Sequence, residues 1–192
     1  MGIETELKFI DADHVALRAL LAEQGATPHG AGFESNVVFD DPSGGLKAKG
    51  ILLRLREFCG RHILTAKTPV NAPGPAKTCR EDETEVTDAV ATSAIFADLG
   101  LIPALRYEKF RESWSFMDCE VCLDTLPFGR FVEIEGGEQD ILACAAALGL
   151  DLDKASRETY HELNRQWRLC TGLAPDPSFV FDEASRRELG LG

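Results

Sequence analysis

The sequence predicts an α+β fold: an eight-stranded antiparallel sheet closed into a barrel, with helices packed outside it. Three observations carry this. About eight strand-like segments follow one another, and two long stretches, 33–68 together with 77–87 and 104–136, read as strands joined to neighbours. Six of the eight segments alternate charged and apolar side chains, so each strand has one charged and one apolar face. The helical segments between them are amphipathic and can cover the apolar faces.

The elements run in this order. Ile3-Glu4-Thr5-Glu6-Leu7-Lys8-Phe9 alternates with period two and reads as a strand. A helix follows from about Asp13 to Gln24, with Asp11 or Asp13 as its cap, Leu17, Leu20 and Leu21 as its stripe, and Gly25 as its stop. Strands are expected near 33–40, 50–58 and 61–68, the last two joined by the hairpin signal Cys59-Gly60. Val70 to Ala76, with Pro73, Gly74 and Pro75, reads as a loop. A strand near 77–87 precedes a helix from about Asp88 to Leu99. Strands near 104–117, 119–125 and 130–136 follow, then helices over about 138–148 and 155–170. Residues 1–170 therefore read as one domain. Residues 171–192 read as a tail with a short helix near 183–189.

The chain has 192 residues, 44% of them hydrophobic, enough for one core. The net charge of −12 argues against nucleic acid and anionic membranes as partners. The longest apolar stretch, Ile141 to Leu150, is too short to span a bilayer, and the charged N-terminus is unlike a signal peptide. Six scattered cysteines fit buried free thiols, and Cys119 and Cys122 would point to opposite faces of a strand. The expected location is the cytoplasm.

The charged faces decide the function. Glu4, Glu6 and Lys8 share a face, as do Arg54 and Arg56, Glu81, Glu83 and Glu85, Lys109 and Arg111, and Glu133 and Glu135, while Lys67 ends its own strand. On any one strand such a face reads as a salt-bridged surface in water. Its recurrence on six strands, each with an apolar back, favours a charged interior. Eight strands enclose room for one small ligand. Buried charge is costly unless it is paired or meets ions and ligand. Clustered carboxylates suit Mg²⁺ or Mn²⁺, and several Arg and Lys suit a polyphosphate. Both sets together point to a metal–polyphosphate complex. There is no P-loop, and His14, His29, His62 and His161 show no ligand spacing. Tyr160, Trp114 and Phe116 read as packing residues.

The order of motifs resembles the CYTH superfamily, the triphosphate tunnel metalloenzymes. Glu4-x-Glu6-x-Lys8 is similar to its N-terminal signature. Asn36-Val37-Val38-Phe39-Asp40, Leu53-Arg54-Leu55-Arg56, Leu64-Thr65-Ala66-Lys67 and Glu83-x-Glu85 follow in the family's order. So do Lys109-x-Arg111-x-x-Trp114, Leu123-Asp124, Gly129-x-Phe131-x-Glu133-Ile134-Glu135 and Thr159-Tyr160-x-Glu162-Leu163. The resemblance spans about residues 3–165.

It implies a tunnel that binds triphosphate with Mg²⁺ or Mn²⁺. Glu4, Glu6, Lys8, Glu83 and Glu85 become the catalytic candidates, and Glu4, Glu6, Glu133 and Glu135 the metal candidates. Lys8, Arg54, Arg56, Lys67, Lys109 and Arg111 become the phosphate-binding candidates, and Arg80 and Asp124 are secondary site candidates. The substrate would be tripolyphosphate, ATP or thiamine triphosphate, and a homodimer is the candidate assembly. Hydrolysis is the expected reaction. A class IV adenylyl cyclase forming cyclic AMP and pyrophosphate is the alternative, and a noncatalytic nucleotide- or polyphosphate-binding module is a third. Such cyclases often carry a His-Phe pair before the acidic triplet, where this chain has only Met1-Gly2-Ile3.

Overall fold

The computed structural model describes residues 2–71, 74 and 76–190. Ala72, Pro73 and Pro75 of the expected loop, and the last two residues of the tail, lie outside these. Eight antiparallel strands close on themselves: β1 (Gly2–Ile10), β2 (Thr27–Asp40), β3 (Leu52–Phe58), β4 (Arg61–Pro69), β5 (Lys77–Val86), β6 (Ile102–Phe116), β7 (Cys119–Leu126) and β8 (Gly129–Glu135). The order around the barrel is β5-β4-β3-β2-β6-β7-β8-β1, and β1 pairs back onto β5. Two of the three two-residue hairpins turn on residues that both have positive φ: Cys59-Gly60 at 51° and 74°, and Met117-Asp118 at 51° and 58°. That geometry matches the twist of the flanking strands.

The helices are α1 (His14–Glu23), α2 (Gly45–Ala48), α3 (Ala89–Asp98), α4 (Glu138–Ala147), α5 (Tyr160–Thr171) and α6 (Glu183–Glu188). Asp13 caps α1, its carboxylate accepting from the amides of Val15 and Ala16. α1 and α4 bury Leu17, Leu21, Ile141, Cys144 and Ala145 against the outer face of β1, β7 and β8, which supplies Leu7, Phe9, Val121, Leu123, Val132 and Ile134. Each such side chain contributes roughly 1.5–3 kcal/mol on burial. This outer core turns Glu4, Glu6 and Lys8, the other parity of β1, into the barrel.

Two expectations are corrected. β2 starts at Thr27, not near 33, because Pro28, Gly30 and Gly32 hide a strand that pairs with β6 through a bulge. The helix expected from 155 starts at Tyr160. Ala155–Ser156 instead forms a short strand, β9, on the edge of β1, and Thr159 caps α5 through the amide of Glu162. All six cysteines are free, but Cys59 and Cys170 are exposed. No helix among the described residues is long and apolar enough to cross a membrane.

Candidate functional site

Register pairs like parities across the barrel, so one face of every strand looks inward. Glu6 lies opposite Glu135, Lys8 opposite Glu133, Lys67 opposite Glu81, Glu34 opposite Lys109 and Arg111 opposite Asp124. The inward set grades from an open end to a covered one. Gly2, Ile3, Glu4, Glu81 and Glu83 line a depression at the mouth. Lys8, Glu34, Arg54, Lys109, Asp124 and Glu133 are buried deeper.

Four carboxylates, Glu4, Glu6, Glu133 and Glu135, each place an oxygen within 4.8 Å of the others. Hard oxygen donors so clustered suit a small divalent cation. Around them stand cations. Lys8 Nζ is 2.7 Å from Glu6 Oε1 and 3.6 Å from Glu133 Oε2. Lys77 Nζ is 2.6 Å from the same Glu6 oxygen. Lys67 donates to Glu4 at 2.7 Å and lies 3.4 Å from Glu81. The Cys79 thiol also donates to Glu4, at 3.2 Å.

The carboxylates do not share one state. Burial pushes Glu135 up to about 8, helped by the charge of Glu133. Glu133 itself falls well below the usual range: burial opposes this, and Lys8 and Arg111 outweigh it. Burial and a hydrogen bond with Glu4 raise Glu81 to about 7. Glu4 drops to about 2, since burial is overcome by Glu81 and Lys67. In each pair one carboxyl is shifted up and its partner down.

The opposite wall holds the guanidinium groups. Arg54 donates to the Tyr107 hydroxyl at 3.0 Å and to Thr65 Oγ1 at 3.2 Å. Arg56 lies 3.2 Å from Glu83 and 3.6 Å from Glu34. Each keeps a buried Nε–H with no hydrogen-bond partner, and Glu34 Oε2 and Asn36 Oδ1 are likewise unpartnered. Unspent buried donors of this kind cost free energy unless a ligand oxygen meets them.

At the covered end, Asp124 is a hub. It accepts from Arg111 Nε at 2.8 Å, Arg111 Nη2 at 2.7 Å, Lys109 Nζ at 3.3 Å and the Tyr160 hydroxyl at 2.8 Å. Lys8 and Lys109 sit over the Tyr160 ring, 5.2 and 5.8 Å from its centre. Tyr160, Phe131, Phe128, Phe179, Tyr107 and His161 form a chain of aromatic contacts, each 5.1–5.4 Å between centres, beneath the charged interior.

Glu4, Glu6, Lys8, Arg54, Arg56, Lys67, Glu83, Lys109, Arg111, Glu133 and Glu135 are therefore gathered inside one barrel. Glu85 is not: it sits half exposed at the rim, paired with Arg61 at 2.6 Å. Arg80 faces outward beside Asp82. Asp40 ends β2, and its carboxylate accepts from the amides of Asp41, Leu46 and Lys47, ordering the loop into α2. Sequence reasoning passed over Glu34, Lys77 and Tyr107, and left Glu81 out of the site. Lys77, Glu81 and Tyr107 share the inward parity of a residue it selected on the same strand, and that parity was the available signal, whereas Glu34 has no such neighbour on β2. Cys119 faces the outer core and Cys122 the interior, where Ser113 and Glu120 flank it.

A family profile described as the CYTH domain matches residues 2–162. Among solved structures, a putative adenylate cyclase from Vibrio parahaemolyticus is 21% identical. It aligns with a TM-score of 0.76 over 85% of this chain and 98% of its own. A Pyrococcus horikoshii protein is 25% identical, with a TM-score of 0.72 over 83% of this chain and 98% of its own. A putative adenylyl cyclase from Hippeastrum, described as having a dominant triphosphatase activity, is 13% identical, with a TM-score of 0.59 over 92% and 99%. No curated protein matches at a significant level.

Proposed function

The chain belongs to the CYTH family, and from that premise we propose that it is a metal-dependent triphosphatase. Its substrate is an inorganic or organic triphosphate held inside the barrel. One observation carries the reading: a four-carboxylate cluster faces, across the barrel, two arginines with unspent buried Nε–H groups. A hard-cation site and a phosphate grip in one cavity fit a metal–triphosphate complex.

Glu4, Glu6, Glu133 and Glu135 would hold Mg²⁺ or Mn²⁺, which supplies charge neutralisation and polarisation of a phosphoryl oxygen when bound. Arg54 and Arg56 donate to non-bridging oxygens from one wall, and Lys8 and Lys109 set positive charge at the inner end. Lys67 serves the mouth. These groups fix the chain of phosphates in line and stabilise charge on the leaving phosphate. Glu83 borders Arg56 and reaches solvent, so it orients the attacking water and accepts its proton. Glu85, engaged with Arg61 at the rim, takes no part. The hydroxyl of water, not a ribose hydroxyl, is the nucleophile.

The test is a metal-dependent assay on tripolyphosphate, ATP and thiamine triphosphate, scoring phosphate, pyrophosphate and cyclic AMP. Release of phosphate from one or more substrates is expected. Cyclic AMP as the main product from ATP would make the protein a cyclase. Tight binding with no turnover would make it a binding module.

A further inference from the structure

β6 is longer than its neighbour. β7 covers it only from Phe110 to Phe116, leaving the edge of Ile102–Lys109 on that side without a barrel strand. The tail fills part of that edge. The amide of Phe179 donates to the carbonyl of Arg106 at 3.1 Å, and the amide of Glu108 donates to the carbonyl of Phe179 at 3.0 Å. Tyr107 and Phe179 thereby form a parallel bridge.

Side chains lock the segment in place. Glu108 faces out of the barrel and is buried, and its partners are tail groups: the amide of Phe181 at 2.9 Å and the guanidinium of Arg186. Arg186 also lies over the Phe33 ring. Ser178 Oγ accepts from the amide of Arg106, and Asn164 of α5 donates to the carbonyl of Asp176. A buried carboxylate is costly without such partners, so β6 is built to hold this segment. Phe179 and Phe181 are buried, and the family match ends at residue 162.

Tyr107 carries the effect inward. One face of its ring meets Phe179, with centres 5.1 Å apart, and its hydroxyl accepts from Arg54. We propose that residues 176–186 are a strap that positions Arg54 for phosphate through Phe179 and Tyr107, making Phe179 and Tyr107 positioning residues of the tunnel. This rests on the triphosphate reading above. Without the strap, Tyr107 loses its backing and Arg54 loses a fixed acceptor. The guanidinium then samples orientations in which its free Nε–H no longer points at the ligand. The loss falls on binding of the phosphates in ground and transition state alike, so KM rises while kcat holds.

The experiment compares the full chain with Phe179→Ala, Phe179→Leu, Glu108→Gln, Tyr107→Phe and the Phe179→Ala/Tyr107→Phe pair. It measures binding of tripolyphosphate, ATP and thiamine triphosphate by calorimetry, KM and kcat, and Tm, with assays run well below each Tm. Phe179→Ala and Tyr107→Phe should each weaken binding and raise KM about tenfold, the scale typical of a lost supporting contact, with kcat within about twofold. Glu108→Gln, which spares the packing of Phe179, should move KM the same way by less, and Phe179→Leu should recover most of the loss. The double variant should be no worse than Tyr107→Phe alone, because both act on one contact chain. If Phe179→Ala and Glu108→Gln lower Tm but leave KM and affinity unchanged, the strap only stabilises the fold and the proposal falls. Additive losses in the double variant overturn the route through Tyr107. A wild-type protein that binds none of tripolyphosphate, ATP and thiamine triphosphate overturns the triphosphate reading, and this inference with it.

Discussion

Arg111 and Asp124 hold each other at two points, Nε to Oδ1 at 2.8 Å and Nη2 to Oδ2 at 2.7 Å. The same guanidinium reaches Glu133 at 3.1 Å and Glu135 at 3.7 Å. Arg111 thus clamps the carboxylate wall to the hub beneath it, with its donors already shared among acids. Removing it leaves the fully buried Asp124 with only Lys109 and the Tyr160 hydroxyl as partners. Arg111→Ala is expected to destabilise the fold by about 3–5 kcal/mol, read from denaturant unfolding. Arg111→Lys should recover only part, since an ammonium cannot replace a two-point fork.

The carboxylate cluster predicts the metal requirement. Glu6→Gln and Glu135→Gln should each raise the Mg²⁺ or Mn²⁺ concentration for half-maximal activity on the order of tenfold or more. Far-UV circular dichroism should be unchanged, because neither residue belongs to the outer core. A chelator should abolish turnover and either cation should restore it. An unaltered metal requirement in both variants would remove them from the cation site.

Arg56 predicts how substrate is held. Arg56→Ala removes an unspent donor at the phosphate wall, and charged hydrogen bonds are worth about 1.5–3 kcal/mol. KM for every triphosphate should therefore rise about ten- to hundredfold. Steady-state kinetics on tripolyphosphate and ATP check this. Unchanged kinetics would mean that Arg56 does not meet the substrate.

His161 predicts a pH dependence of stability. Burial lowers its pKa to about 4, with Lys47 and Arg54 adding to the effect, and its Nδ1 has no hydrogen-bond partner. The folded state keeps the ring neutral, whereas the unfolded chain protonates it near its ordinary value of about 6.5. The unfolded state therefore binds more protons between these values, and stability falls as pH drops through that window. Unfolding free energy measured from pH 7 to pH 4 should decline more steeply for the wild type than for His161→Gln. Parallel curves would refute the assignment.

Gly32 predicts a packing limit. A Cβ there would lie 2.6 Å from Phe58 Cε2 and 3.0 Å from Cys59 Sγ. Gly32→Ala should cost about 1–3 kcal/mol of overpacking, visible as a lowered unfolding midpoint.

The eight strands and their inward charges were legible because alternation records which side of a strand faces water or core. Ile3 to Phe9 and Gly129 to Glu135 show it plainly. Depth along the barrel was not legible. Parity put Glu81, Glu83 and Glu85 on one face, but only the pairing of β5 with β1, Gly2 against Glu81, sets Glu81 beside Glu4 and leaves Glu85 at the rim. Glu34 stayed hidden because one acid in a strand of glycines and apolar residues carries no repeating pattern. The start of α5 was misjudged because Ala155–Ser156 is claimed by β1, a tertiary pairing that local propensity does not encode. Tyr160 read as packing, and it does pack on Phe131, but its hydroxyl also ties α5 to Asp124.

The aromatic contacts at the inner end of the barrel have a kinetic meaning on the triphosphatase reading. Tyr160, Phe131, Phe179 and Tyr107 crowd that end, whereas the mouth near Glu4, Glu81 and Glu83 is open. A substrate and its product phosphate that share this mouth should compete for it, and product-inhibition kinetics should then show phosphate as a competitor of substrate.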